Sequence, residues 1–190
     1  MSYFEVPPEP DPGEWRPPEW FAAPHDELGV EIVVDEPVAR TETAAITLRS
    51  IVAYSNGFEL SLLGEWAKDG LGPIEDHVVH PHSEQFLRIA VEYADGRRAT
   101  NMDYALPDDS DSDDDESDEA PPDAPYIGQQ HPQFFNRTTH RELTYWVWSI
   151  PAGGDVTLIC EWPAVTIPVT RMSIDGDTIR EASTRSRKLW

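Results

Sequence analysis

The sequence predicts an all-β protein, an antiparallel β-sandwich or open barrel with a short C-terminal helix and a disordered acidic loop. Three observations predict it. Apolar and polar residues alternate with a period of two in several short runs between residues 29 and 176. Turn-forming Asn-Gly, Asp-Gly and Gly-Gly pairs punctuate those runs. A helical stripe is confined to the end of the chain. The expected organisation is a Pro/Trp-rich extended arm at 1–28, a sandwich domain at 29–176 interrupted by an acidic loop at 103–125, and a helix at 177–190.

The arm carries Pro7-Pro8 and Pro17-Pro18, which exclude a helix interior and favour extended or polyproline II backbone. Trp15 and Trp20 are expected to anchor it in grooves of its own domain, because exposed tryptophans are costly. Display of the arm to a proline-reading domain is the second reading.

Strands begin after Gly29. Glu31 and Asp35 alternate loosely with Ile32, Val33 and Val34. Ile46, Leu48, Val52 and Tyr54 trace one face of the next run, and Phe58, Leu60 and Leu62 one face of its partner. A three-residue loop at 55–57, with Gly57 in a left-handed bulge, would pair Tyr54 with Phe58 and Val52 with Leu60 and bury both faces together. A second hairpin is expected at Asp95-Gly96, with Leu87, Ile89, Val91 and Tyr93 inward. Leu143 to Ile150 and Val156 to Trp162 flank Pro151-Ala152-Gly153-Gly154 and predict a third, pairing Trp148 with Val156 and Trp146 with Leu158. Ile167 to Ile174 adds a last strand, interrupted by Pro168. Thr178-Ile179-Arg180-Glu181 has capping-box spacing, and Ile179, Ala182, Ser186 and Leu189 trace the stripe of the final helix. Seven or eight strands result, with no internal repeat.

Charge narrows the function. The formal net charge is −22, from 14 Lys+Arg against 36 Asp+Glu. Nine of the acids lie in one run: Asp108, Asp109, Asp111, Asp113, Asp114, Asp115, Glu116, Asp118 and Glu119. Such a run cannot bury apolar surface to offset its ordering entropy. Sequence-independent nucleic-acid binding and anionic membrane surfaces are disfavoured, since both require positive charge. A basic protein partner or a divalent cation fits better. Cys160, the one cysteine, cannot form an internal disulfide. The N-terminal residues lack a secretory pattern and no apolar run reaches spanning length, so a cytoplasmic location is the expectation.

Candidate chemistry is sparse. Glu75-Asp76-His77-Val78-Val79-His80-Pro81-His82 offers imidazoles to a borderline metal such as Zn²⁺. On a strand, however, His77 and His80 would point to opposite faces. The acidic run supplies oxygens suited to Ca²⁺ or Mg²⁺ but lacks the order and glycine of an EF-hand loop. Ser110, Ser112 and Ser117 are candidates for phosphorylation. No G-x-S-x-G, P-loop, G-x-G-x-x-G or H-E-x-x-H occurs. Cys160 lies in an apolar run and is expected to be a buried, inert thiol. Tyr145-Trp146-Val147-Trp148 is expected to build core, with an aromatic platform for sugars or bases as the second reading. No cofactor or small-molecule ligand is indicated.

Tyr145-Trp-Val-Trp-Ser-Ile-Pro-Ala-Gly-Gly, Cys160-Glu-Trp-Pro-Ala, the terminal Ile179, Ala182 and Leu189-Trp190, and the leading Pro-Pro-Glu-Trp resemble segments of a family of small aromatic-rich actinobacterial proteins with no assigned activity. The resemblance covers most of the chain outside the acidic loop. It implies a bacterial, cytoplasmic origin and supplies no catalytic residue.

These readings converge on a non-enzymatic protein-interaction module, of inhibitor or immunity type, for a basic partner. The acidic run with Trp15 and Trp20 forms its expected contact set. A metal-dependent enzyme using His77, His80 and His82, or a structural or virion assembly protein, is the alternative.

Overall fold

Alternating apolar residues sort the strands into two antiparallel sheets that share one core. The computed structural model describes residues 18–67, 83–102, 125–130 and 139–190. These residues form eleven strands, β1 (Glu27–Leu28), β2 (Val30–Arg40), β3 (Ala44–Ala53), β4 (Gly57–Trp66), β5 (Arg88–Tyr93), β6 (Arg98–Thr100), β7 (Tyr126–Gln130), β8 (His140–Trp148), β9 (Asp155–Trp162), β10 (Ile167–Asp175) and β11 (Arg187–Lys188), with one helix, α1 (Gly176–Ser183). Five strands run in the order β2-β3-β4-β8-β7 and four in the order β10-β9-β5-β6; β1 and β11 pair as a separate ribbon. Leu48, Ile51, Phe58 and Leu60 of the first sheet meet Ile89, Val91, Leu158 and Cys160 of the second, all buried in one apolar cluster. Among the described residues no helix is long and apolar enough to cross a membrane.

The hairpin expected at Asp95-Gly96 forms as read. Gly96 takes the left-handed conformation at φ +87, Tyr93 N–H donates to Arg97 O at 2.8 Å, and Asp95 accepts from Arg97 N–H at 3.0 Å. Its inward face is Leu87, Ile89, Val91 and Tyr93, all buried. Asn101 completes the short β6: its Oδ1 accepts from Ile89 N–H at 2.8 Å, and its Nδ2 donates to Leu87 O at 2.9 Å. A sheet edge that ends after three residues thus has its buried backbone groups met by a side chain.

The register of the β3–β4 hairpin differs from the expected one. Ala53 pairs with Phe58 and Ile51 with Leu60, and the turn is closed by Tyr54 N–H on Gly57 O at 2.8 Å. Arg49 is the reason. It is an extra residue in β3, inserted between the pairs Leu48↔Leu62 and Ser50↔Ser61. One inserted residue reverses the alternation. Ile46 and Leu48 therefore share the core with Ile51 and Ala53, while Val52 and Tyr54 face outward. Gly57 opens β4 and is absent from the left-handed positions. The neighbouring strand β2 is irregular at the same level, between Val33 and Glu36, where Asp35 adopts φ 54 and meets Arg49 Nε at 3.1 Å.

The third expected hairpin does not form. β8 pairs with β4 and β7, whereas β9 pairs with β5 and β10, so Pro151–Gly154 carries the chain from one sheet to the other. The Tyr93 hydroxyl donates to Ser149 O beside that crossing. Alternation specifies which face a strand buries and leaves its neighbour open; here the glycine-rich link spans the core instead of reversing within a sheet. β10 does follow β9, with its register disturbed between Ile167 and Thr170, around Pro168.

The C-terminal helix is shorter than 177–190. Asp175, not Thr178, is its N-cap, with Oδ1 accepting from Asp177 N–H at 2.9 Å and Thr178 N–H at 3.4 Å. Ile179 and Ala182 are fully buried and pack α1 onto β2, β3, β4 and β9. After Ser183 the chain turns extended, and Leu28↔Arg187 and Glu27↔Lys188 pair β1 with β11. The remainder of the expected stripe is not core: Ser186 is half-buried and Leu189 is exposed, as is the terminal Trp190 at 81%.

Candidate functional site

β8 presents its two sides to different environments. Leu143, Tyr145 and Val147 point into the core, whereas Trp146 lies on the outer face, between Glu59 of β4 and Gly128 of β7. Trp146 is nevertheless 0% exposed. Glycine makes that burial sterically feasible. A Cβ at Gly57 would sit 2.5 Å from the Trp146 ring and 2.6 Å from Val147 O, so the indole occupies the space that side chain would need. A Cβ at Gly128 would likewise fall 2.8 Å from Tyr126 Cζ. The Tyr54 ring meets Trp146 edge-on at 5.9 Å.

The cover is the base of the arm. Pro18 to Phe21 forms a turn in which Phe21 N–H donates to Pro18 O at 2.9 Å. Two side chains of the sheet hold its next two carbonyls. Asn56 Nδ2 donates to Glu19 O at 3.0 Å, and Trp146 Nε1 donates to Trp20 O at 2.9 Å. Trp20 packs edge-on against Tyr126 at 5.3 Å, and Phe21 stacks on the same ring at 5.7 Å. The sheet face is thus an aromatic cradle with two aligned donors. Asn56 Oδ1 is buried there with no hydrogen-bond partner among the described residues.

Behind the cradle, Glu27 roots the arm. Its carboxylate accepts from Ser55 N–H at 2.6 Å and from Ser55 Oγ at 2.7 Å. Burial pushes this carboxyl up, but the Ser186 and Ser55 donors outweigh burial and hold it below the usual carboxylate range. Burial and the adjacent Glu59 carboxylate, whose Oε2 accepts from Tyr54 OH at 3.2 Å, raise the Tyr54 phenol to about 12. Tyr54 is therefore a donor throughout the neutral range.

At the far end of the same sheet lies a shallow, open depression of about 350 Å³, lined by residues including Arg40, Glu42, Glu65, Trp66 and Thr139. The buried Trp66 Nε1 has no partner among the described residues.

The sequence-derived candidates divide sharply. Trp20 is in the cradle, contributing its ring and carbonyl. Trp15, the histidines 77, 80 and 82, and the acidic run 108–119 lie outside the described residues. Among the described residues there is no group of three or more His, Cys, Asp or Glu able to hold a metal ion. Cys160 is buried, and burial raises its thiol to about 11. The alternation of 145–148 is the reverse of the expected one: Tyr145 and Val147 are core, whereas Trp146 and Trp148, expected to share the inward side, are outside it, Trp146 being buried on the outer face by the arm. Asn56, Gly57 and Tyr126 were not legible as site residues: Asn56-Gly57 resembles an ordinary turn, and Tyr126 follows a proline with no periodic signal. Scans against family models, curated proteins and solved structures find no match for this chain, so its functional reading rests on its own residues.

Proposed function

We propose that the chain is a non-enzymatic protein-interaction module of inhibitor or immunity type, attracting a basic partner through the carboxylates of 108–119. The observation that carries this reading is where those residues are inserted. They lie in the connection between β6 and β7, edge strands of opposite sheets that contact each other along one seam. The apolar core draws on residues flanking this connection, so a strongly anionic insertion there is compatible with the fold. Charge of one sign concentrated in one segment raises encounter rate with a complementary partner more than final affinity.

Neutralisation of the chain's own Arg180, Arg185, Arg187 and Lys188 is the competing role for the insertion. Two of these cations already face nearby acids, Arg180 with Asp177 at 2.7 Å and Lys188 with Asp26 at 3.2 Å, which favours the intermolecular role.

The test is capture with tagged full-length chain and with a 108–119 deletion at low and moderate salt, followed by association kinetics on any basic partner recovered. The expected result is a partner whose on-rate falls with salt for the full chain and is slow at all salts for the deletion. An on-rate at low salt unchanged by the deletion overturns the proposal.

A further inference from the structure

The cradle recognises features that are portable. It reads two consecutive backbone carbonyls of a turn, through Asn56 Nδ2 and Trp146 Nε1, and two aromatic rings that follow a proline pair, through Tyr126. Fixed donors facing the carbonyls of a proline-rich segment, with aromatic surfaces for its side chains, are the elements of proline-peptide recognition. The arm repeats part of the docked sequence. Pro17-Pro18-Glu19-Trp20 is preceded by Pro12-Gly13-Glu14-Trp15, a tandem pattern that becomes visible once the turn shows which positions matter. The upstream copy has Arg16 where the docked copy has Phe21, so it lacks the ring that stacks on Tyr126.

We propose that this sheet face is a peptide-binding site for a Pro-Glu-Trp-Phe turn (residues 18–21), filled in cis by the arm of its own chain and in trans by the same segment of a second copy. The arm is suited to exchange because its docked turn lies outside the shared apolar core and is joined to β1 by residues 22–26, which include Pro24. Reciprocal exchange gives a closed two-fold dimer in which each cradle keeps its contacts. The inference uses no residue of the acidic insertion and stands independently of it.

The test is complementation between full-length chains. Trp20→Ala leaves a cradle with a defective ligand; Asn56→Ala with Trp146→Phe leaves an intact ligand with a defective cradle. The expected result is a 1:1 complex on mixing, seen by sedimentation velocity, with neither variant pairing alone. A labelled peptide of residues 16–23 is expected to bind Trp20→Ala about tenfold or more tighter than wild type, whose own arm competes at roughly millimolar effective concentration. If the cradle double variant fails to fold, the same peptide titrated into Trp20→Ala with and without Asn56→Ala decides the matter, because the competing arm is weakened in both, with affinity about fivefold weaker expected for loss of one donor. Peptide binding without a chain–chain complex overturns the second copy as occupant and makes a partner protein's turn the ligand. No saturable peptide binding, or binding indifferent to Asn56, overturns the site itself. Repeating the titration on the 108–119 deletion is expected to change nothing, which separates this result from failure of the electrostatic reading.

Discussion

Glu27 and Ser55, 28 residues apart in sequence, are joined by two short hydrogen bonds, with both Ser55 N–H and Ser55 Oγ donating to one carboxylate. The contact fastens the start of the strand region to the β3–β4 turn, next to the Asn56 that holds the arm. Glu27 is only 8% exposed, so its charge is stabilised by donors, not by water.

A pH dependence follows. The folded-state pKa of Glu27 is lowered. The stabilisation is therefore fully present above the unfolded carboxylate value of about 4.3 and is lost as pH falls through the lower folded value. Glu27→Gln is expected to cost about 1.5–3 kcal/mol at neutral pH, the range for hydrogen bonds to a charged group. Its acid limb should be shallower than that of wild type in urea titrations from pH 7 to 3. An equal cost at pH 7 and pH 3 would contradict the assignment.

Gly57→Ala inserts a methyl against the Trp146 ring and Val147 O, both of which must move. A loss of about 1–3 kcal/mol is expected. Gly96→Ala is the control. Nothing lies within 4 Å of that Cβ, and only the positive φ is strained, so about 1 kcal/mol is expected. Denaturation midpoints give the costs, and increased acrylamide quenching of tryptophan fluorescence is expected for Gly57→Ala only.

Asn101→Ala leaves Ile89 N–H and Leu87 O without their side-chain partners in a buried setting. The expected cost is about 2–4 kcal/mol, with an unchanged denaturant slope, because two desolvated backbone groups lose their bonds at once. A loss below about 0.5 kcal/mol would show that water replaces the amide.

Cys160 is expected to be inert in the native state. A thiol at about 11 is ionised to only about one part in a thousand at pH 8, and the side chain is buried as well. Labelling with a disulfide reagent should be at least about a hundredfold slower in buffer than in denaturing urea. Comparable rates would place the thiol at the surface.

The paired irregularity at Asp35 and Arg49 is expected to depend on backbone rather than charge. Their ion pair is largely solvent-exposed, so Arg49→Ala should cost under about 1 kcal/mol. Asp35→Val, which forces a β-branched residue to φ 54, should cost about 1–2 kcal/mol, and Asp35→Gly should be neutral or stabilising. Thermal denaturation of the three variants orders them.

The sequence by itself determined the fold class, because apolar alternation is a local consequence of strand geometry. Leu87, Ile89, Val91 and Tyr93 could be assigned to one buried face, and Asp95-Gly96 to their turn, without any partner strand. Ile179 and Ala182 could be assigned to a helix for the same reason. What tertiary structure decided was non-local. Arg49 has no feature of its own that marks an inserted residue; the bulge exists because β3 must satisfy both β2 and β4 while keeping Ile46, Leu48, Ile51 and Ala53 in one core. The crossing between β8 and β9 depends on which strands compete for each edge. So does the cradle: Trp146 is as apolar as Tyr145 in a one-dimensional pattern, and only the arm folding back from Pro18 makes it a buried donor on the outer face. Periodicity assigns a side to each residue, but the occupant of that side is chosen by chain segments more than a hundred residues away.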